Sequence, residues 1–188
     1  MNEEHLQLCS SAEWAETVQQ WIIPWVLDGI ELGDDVVEIG PGPGLTTDAL
    51  RTLTHRLTAV EVDADLAAAL AERLAGTNVT VRCADGSDTG LPAGGFSAAV
   101  CLTMLHHVHS AALQDAIFAE VHRLLAPAGV FAGEDSLDSP ELRELHHDDT
   151  YLPVDPAGLA VRLERAGFTR VEVITNEHAV RFRGFKIG

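Results

Sequence analysis

The sequence predicts an α/β protein with a doubly wound, mostly parallel seven-stranded sheet, helices on both faces and an antiparallel hairpin at its C-terminal edge. Three observations predict this fold. Short apolar segments alternate along the chain with segments of helical length and periodicity. Residues 96–105 are almost continuously apolar, as expected of a strand that is covered on both faces. Two strand-like segments, 171–175 and 179–187, follow one another with no helix between them.

Length and composition predict one packed domain. The chain has 188 residues, of which 46% are hydrophobic, and a chain of this size buries roughly two-thirds of its unfolded surface. It carries 29 acidic and 12 basic side chains, a net charge of −17. This charge repels the phosphates of nucleic acids and of membrane surfaces, and it favours neutral or cationic small partners. Since there is neither a membrane-length apolar run nor a signal-peptide pattern, we expect a cytoplasmic protein with no nucleic-acid or membrane partner.

An N-terminal helix is predicted over residues 11–28. Pro24 is expected to kink this helix or to begin a second one. We interpret its apolar stripe as core packing, with closure over a ligand as the alternative. The residues of the stripe are Trp14, Val18, Trp21 and Trp25.

The remaining elements follow from local patterns. Ser110 is the predicted N-cap of one helix, and Gly76 and Gly167 end two others. Residues 135–154 are polar and rich in Asp, Ser and Pro, which predicts a long loop with about one helical turn. The predicted strands are 35–39, 56–62, 79–83, 96–105, one beginning at 129, 171–175 and 179–187. The predicted helices are 45–54, 64–75, 110–125 and 155–166.

The most informative segment is Val36-Val37-Glu38-Ile39-Gly40-Pro41-Gly42-Pro43-Gly44-Leu45, in which an apolar strand runs into an E-x-G-x-G-x-G loop. Such a loop lets the backbone approach a ligand closely and presents N–H groups to it. Glu61 ends the second strand, where an acid accepts hydrogen bonds from a ribose diol. A dinucleotide fingerprint needs a third glycine where Leu45 stands, so a nicotinamide-dependent reductase is disfavoured.

This arrangement resembles the class I S-adenosylmethionine-dependent methyltransferases, which have a Rossmann-like fold. The resemblance implies S-adenosyl-L-methionine as cofactor and S-adenosyl-L-homocysteine as product. It implies that the loop glycines line the amino-acid part of the cofactor and that Glu38 orients its ammonium group. Asp85 would accept a hydrogen bond from the adenine amino group. The implied cofactor-binding residues are Glu38, Gly40, Pro41, Gly42, Gly44, Glu61, Val62, Asp85, Gly86, Leu102 and Thr103.

Three later motifs support the resemblance, which spans about residues 30–175. Residues 81–86 are similar to the end of the family's third strand, 95–108 to its fourth strand, and 121–130 to its "R-x-L-x-P-G-G" passage, with Ala128 in place of the first glycine. We therefore expect residues 1–188 to form a single methyltransferase domain. Residues 1–30 would form a helical cap, and residues 135–154 an active-site loop.

The opening motifs are also similar to those of the ribosomal RNA adenine dimethyltransferases. That class needs an Asn/Asp-x-Pro-Tyr/Phe motif after the fourth strand, and this chain has Leu102-Thr103-Met104-Leu105 there. We therefore predict transfer of a methyl group to O, N, S or C of a small-molecule acceptor. The alternative is a catalytically inactive S-adenosylmethionine-binding regulator or scaffold. The short insertions suggest either a small acceptor or an open cleft that a second subunit of a homodimer completes.

Three residues are candidates for catalysis: His106 and His107 after the fourth strand, and Glu134 in the fifth. Each lies where the fold places the cleft, and each could take a proton from an acceptor that arrives protonated. Structural or packing roles are the alternative for all three.

No metal site is expected from the sequence. The run His146-His147-Asp148-Asp149 and the pair His106 and His109 contain ligand-type side chains, but adjacent side chains usually point apart and ligands must converge. We interpret the run as a solvated loop and the following segment 151–153 as a substrate-side lid.

Overall fold

The computed structural model describes residues 2–188 and places a seven-stranded sheet at the centre of the molecule. Residue 1 of the predicted cap lies outside the described residues. The strands are β1 Asp35–Ile39, β2 Arg56–Glu61, β3 Val79–Cys83, β4 Phe96–Leu102, β5 Leu125–Ser136, β6 Thr169–Thr175 and β7 Ala179–Phe185.

The strand order is β3-β2-β1-β4-β5-β7-β6. Strands β1 to β5 pair in parallel, and β7 lies antiparallel between β5 and β6. The predicted doubly wound sheet with an antiparallel C-terminal edge is therefore confirmed. The order reverses between β1 and β4, and the crevice beyond the ends of these two strands is where such sheets bind ligands.

Eight α-helices are described, and most end a few residues earlier than the sequence predicts. Ser110 accepts a hydrogen bond from the backbone N–H of Leu113 (3.1 Å), so the predicted N-cap is correct. No helix in residues 2–188 has the length and apolar character that crossing a bilayer requires. The helices are α1 Glu3–Cys9, α2 Ala12–Thr17, α3 Ile23–Val26, α4 Leu45–Leu50, α5 Ala64–Arg73, α6 Ala111–Leu124, α7 Pro140–Leu145 and α8 Pro156–Arg165.

The N-terminal helices differ from the prediction. The sequence analysis missed α1, and a π-helical turn at Val18–Ile22 joins α2 to α3 directly before Pro24. Proline donates no backbone hydrogen bond, and the wider turn changes the helical phase at this point. As a result Trp21 is 71% exposed, so the predicted stripe is wrong at this residue. Val18 of the stripe is buried as expected, and Trp14 packs partly against the core. The other buried side chains are Ile22, Ile23 and Val26.

Two hydrophobic layers cover the sheet. One face packs against α6 and α8 and contains five phenylalanine rings, and the other packs against α2, α3 and α4. The rings of Phe131 and Phe182 meet edge to face with centroids 5.1 Å apart, and Phe118 lies within 6.3 Å of both. The aromatic layer leaves no room for a side chain at Gly133, where a Cβ atom would lie 2.2 Å from Cζ of Phe182 and 2.7 Å from the carbonyl oxygen of Cys101.

We expect Gly133→Ala to lower the free energy of unfolding by about 1–3 kcal/mol or more, because the added methyl group overpacks a region that includes rigid backbone. Chemical denaturation would measure the change. Gly95→Ala is the matched control, since its Cβ would meet nothing nearer than 3.9 Å. Equal stability of the two variants would contradict the packing described here.

The predicted catalytic residue Glu134 lies in β5 and is 3% exposed. Burial, together with the neighbouring Asp135, raises the pKa of its carboxyl group to about 8. Its Oε2 atom is buried and has no hydrogen-bond partner in the described structure. Glu134 therefore belongs to the interior of the sheet, where the protonated form is favoured.

Because the pKa of Glu134 is raised from 4.5 to about 8 on folding, the native state binds more protons than the unfolded state across this range. Stability should therefore fall as the pH rises from about 4.5 to about 8. In Glu134→Gln, we expect the free energy of unfolding to fall less over this pH range, by on the order of a few kcal/mol. Urea denaturation at several pH values would test it, with exposed Glu177→Gln as the control. An unchanged pH dependence in Glu134→Gln would show that Glu134 ionises normally.

Candidate cofactor and active site

A cavity of about 590 Å³ lies beyond the carboxyl ends of β1, β2 and β4. This volume is within the range of pockets that hold a cofactor-sized molecule. Ten of the fourteen site residues predicted from the sequence line it. They are Gly40, Pro41, Gly42, Glu61, Val62, Asp85, Gly86, Leu102, Thr103 and His107.

The glycine loop forms one wall of the cavity. Gly40, Gly42 and Gly44 have positive φ angles of 70°, 56° and 90°, which side chains rarely tolerate. A Cβ atom on Gly40 would lie 2.2 Å from Cγ of Met104, and one on Gly44 would lie 2.3 Å from Cδ1 of Leu70. The glycines are thus required both by the backbone conformation and by packing beneath the loop.

Glu61 fixes this loop to the end of β2. Its Oε2 accepts a hydrogen bond from the backbone N–H of Gly42 (2.9 Å), and its Oε1 accepts one from the N–H of Asp63 (2.9 Å). The side chain is 5% exposed. A carboxylate has about four acceptor positions, so Glu61 can hold the loop and still accept from hydroxyl groups of a ligand.

Glu38 is predicted to orient the ammonium group of the cofactor, but it is not among the described residues that line the cavity. Its two carboxylate oxygens accept hydrogen bonds from the hydroxyl groups of Thr46 and Thr47 in the first turn of α4. Burial raises its pKa to about 7. Glu38 therefore connects the end of β1 to α4 from below the loop. The sequence signal for this structural role is the pair of threonine hydroxyls that follow Glu38 by eight and nine residues. Gly44 is likewise absent from the lining.

The wall formed by β3 and β4 contains two conformationally constrained residues. Asp85 is oriented by Ser87, whose N–H and hydroxyl group donate to Oδ1 at 2.8 and 2.7 Å. Thr103 has a φ of 48°, in the left-handed region, and its N–H donates to the carbonyl of Glu134 (2.9 Å). A strained residue of this kind, held by its surroundings, is typical of a binding site.

The two histidines predicted as catalytic have different environments. His106 is 3% exposed, and its Nδ1 lies 2.6 Å from the carboxylate of buried Asp135. It is not among the described cavity-lining residues, whereas His107 is. Burial, followed by repulsion from neighbouring histidines, lowers the pKa of His107 to about 3, so its imidazole is neutral at physiological pH. Of the three predicted catalytic residues, only His107 reaches the cavity.

The structure brings together four histidines that lie apart in the sequence. His5 on α1, His106 and His107 after β4, and His146 after α7 each place one ring nitrogen within 4.8 Å of the others. We call these residues the four-histidine cluster. It adjoins the cavity through His107. The sequence analysis considered His146 and His106 separately and did not bring them together.

The N-terminal helices and the segment after α7 close the cavity. Leu6, Cys9 and Trp14 line it from one side, and Asp149 and Thr150 from the other. All five fall within the predicted helical cap, residues 1–30, or the predicted active-site loop, residues 135–154, but only Trp14 was predicted as a side chain that could close over a ligand. Nothing local in the sequence shows which distant segments meet. The predicted lid at 151–153 lies just beyond the residues that line the cavity.

Asn2 connects the two closing segments. Its backbone N–H donates to Oδ2 of Asp149 (2.8 Å), and its side-chain amide donates to the carbonyl of Leu145 (2.7 Å). The same side chain caps α1 by accepting from the N–H of His5 (2.9 Å). One short polar side chain therefore sets the position of α1 relative to the segment after α7.

The cavity is strongly acidic. Five carboxylates line it, and no Lys or Arg is found among its described lining residues. This charge suits S-adenosylmethionine, which carries a sulfonium and an ammonium group against a single carboxylate. The acidic residues are Glu61, Asp63, Asp65, Asp85 and Asp149.

Comparisons with known proteins agree with this geometry. A family model described as a methyltransferase domain matches residues 36–129, half of the chain. The chain is also 44% identical over 69 residues to ribosomal RNA small subunit methyltransferase A of Deinococcus radiodurans. That match covers 35% of this chain and 24% of the relative, so the chain spans about a quarter of the curated protein it matches.

Two solved structures show the same fold. Phosphoethanolamine N-methyltransferase 2 of Haemonchus contortus, in complex with S-adenosyl-L-methionine, superposes with a TM-score of 0.75 at 14% identity, covering 94% of this chain and 56% of that one. A putative methyltransferase in complex with the Haloferax volcanii activator Trm112 has a TM-score of 0.76 at 14% identity. This match covers 100% of this chain and 99% of that one. The chain therefore belongs to the methyltransferase domain family, as a class I member with S-adenosylmethionine as its cofactor.

Proposed function

We propose that this protein transfers a methyl group from S-adenosylmethionine to a small neutral or cationic acceptor bound in the acidic cavity. The observation that carries this proposal is the lining of the cavity, which has five carboxylates and, among the described residues, no Lys or Arg. Such a lining attracts cations and repels anionic acceptors. The chain's own α1 and the segment after α7 close over it, which favours a small acceptor over a cleft completed by a second subunit.

The residues of the chain have separate parts in binding the cofactor. Glu61 would accept hydrogen bonds from the ribose hydroxyls while keeping its hold on the glycine loop. Asp85, oriented by Ser87, would accept from the adenine amino group. Gly40 and Gly42 leave the backbone open to the amino-acid part. When bound, S-adenosylmethionine supplies an electrophilic methyl group on a sulfonium centre.

The chemistry we propose relies on alignment rather than on a protein base. Holding an acceptor atom in line with the methyl group can supply a large share of the rate of such a transfer. Of the predicted catalytic residues, His106 and Glu134 are buried and are not among the described residues that line the cavity. An acceptor that needs no deprotonation before it attacks, such as a neutral amine nitrogen, suits this arrangement.

Two other functions remain candidates. The similarity to a ribosomal RNA methyltransferase favours an RNA acceptor, but net charge, cavity lining and the sequence Leu102-Thr103-Met104-Leu105 all oppose it. The second candidate is an inactive S-adenosylmethionine-binding protein, which the same cofactor residues would also support. All three candidates bind the cofactor. They differ in whether the methyl group then goes to a small molecule, to RNA or to no acceptor.

We expect Glu61→Ala to weaken S-adenosylmethionine binding by on the order of 2–3 kcal/mol, because both the charge-assisted hydrogen bonds to the ribose and the anchor of the loop are lost. Calorimetry would measure the affinity. Glu72→Ala, at an exposed position on α5, is the control and should bind as the wild type does. Affinity that survives Glu61→Ala would place the ribose elsewhere.

Release of S-adenosylhomocysteine should distinguish the candidate functions. We expect turnover with members of a panel of small amines, thiols and phenols, and none with carboxylates of similar size or with a small-subunit ribosomal RNA transcript. Turnover with RNA alone would overturn the small-acceptor proposal. Tight cofactor binding with no turnover across a broad panel would favour the inactive binding protein.

A further inference from the structure

The four-histidine cluster has an unusual set of unsatisfied atoms. One nitrogen of each ring is buried and has no hydrogen-bond partner in the described structure. Leaving a single buried polar group unpaired typically costs about 1–3 kcal/mol, so four in one place call for a shared partner. The atoms are Nδ1 of His5 and Nε2 of His106, His107 and His146.

Two of these rings are oriented so that a lone pair points inward. Nδ1 of His106 lies 2.6 Å from the Asp135 carboxylate, and Nδ1 of His146 lies 2.6 Å from the carbonyl oxygen of Leu142. Both partners are acceptors, so each Nδ1 carries the proton and each Nε2 presents a lone pair to the centre of the cluster. A carboxylate or carbonyl behind a histidine is the arrangement that orients metal-ligating imidazoles.

Water is a poor shared partner for the four unpaired nitrogens. A water molecule offers only two protons to such a group of acceptors, whereas a cation can accept an electron pair from every ring.

The spacing is close to that of a tetrahedral site. One ring nitrogen of each histidine lies within 4.8 Å of those of the other three, and four nitrogens at about 2.0 Å from a zinc ion are about 3.3 Å apart. Side-chain rotations could close this difference. Imidazole ligands select zinc and its neighbours among divalent metals over magnesium or calcium, which prefer oxygen.

We propose that the four-histidine cluster binds one divalent transition-metal ion of the zinc class. The ligands come from α1, from the turn after β4 and from the end of α7, so the ion fastens the two closing segments to the sheet beside the cavity. It acts at the same junction as Asn2, and through His107 it shapes the cavity wall. The proposal does not depend on the methyl acceptor.

The test uses the untagged full-length protein, stripped of metal with a chelator and then titrated with Zn²⁺ or Co²⁺. We expect one ion per chain by elemental analysis after dialysis, and with Co²⁺ the intense visible absorption of tetrahedral coordination. By mass action, Zn²⁺ should also raise the melting temperature of the wild type. Absence of stoichiometric Zn²⁺ binding to the folded protein would overturn the proposal.

Variants identify the ligands. His146→Gln and His5→Gln should each weaken Zn²⁺ binding by roughly 100-fold or more, because a four-ligand site loses one ligand. His147→Gln, adjacent in sequence but exposed and outside the cluster, is the matched control and should bind within about twofold of the wild type. His5 lies on a terminal helix, so its variant should keep the fold, which circular dichroism would verify. Equal affinity in wild type and His5→Gln, or equal loss in His147→Gln, would show that the metal binds elsewhere.

Discussion

The carboxylate of Glu61 is the contact on which the geometry of the site depends. It joins the N–H of Gly42 in the loop after β1 to the N–H of Asp63 at the start of α5. The first group lies in the loop and the second at the N-cap of α5. The loop is also held to β2 by a hydrogen bond from the N–H of Gly40 to the carbonyl of Val60 (2.9 Å). The loop is built from glycines whose left-handed conformations give it little intrinsic stability. A single buried acid therefore shapes the cavity, and in the proposed function its remaining acceptor positions serve the ribose.

Two buried carboxylates that do not line the cavity, Glu38 and Glu134, have structural roles. Glu38 is held by Thr46 and Thr47, and Glu134 lies in the sheet with an unpaired oxygen, and burial raises the pKa of both acids. An interior acid of this kind is costly for the fold when it is ionised. In Glu38 the acid connects β1 to α4 and so supports the loop from beneath. The sequence can therefore place an acid near the predicted cleft without showing whether its side chain lines the cavity.

The segments that close the cavity are held largely by polar contacts. Asn2 caps α1 and binds the chain after α7, while the four-histidine cluster lies on the same junction with its inward nitrogens unpaired. A metal ion there would make the closure of the cavity depend on metal supply.

The sequence by itself determined the parallel sheet and its antiparallel edge, through strand and helix periodicities. The glycine loop and Glu61 also follow from a local pattern, because a tight turn requires glycines and the acid stands at a fixed distance from them. The other residues predicted around the cavity came from the resemblance to the methyltransferase family. Only the tertiary structure decided that Trp21 faces solvent, that Glu38 binds threonines, and that His5 meets His146. The first depends on the helical phase after a π turn, and the second on how α4 packs against the end of β1. The third is a contact between segments far apart in the chain. Local sequence carries the conformation of each segment, but the partner of a side chain is set by how the segments pack.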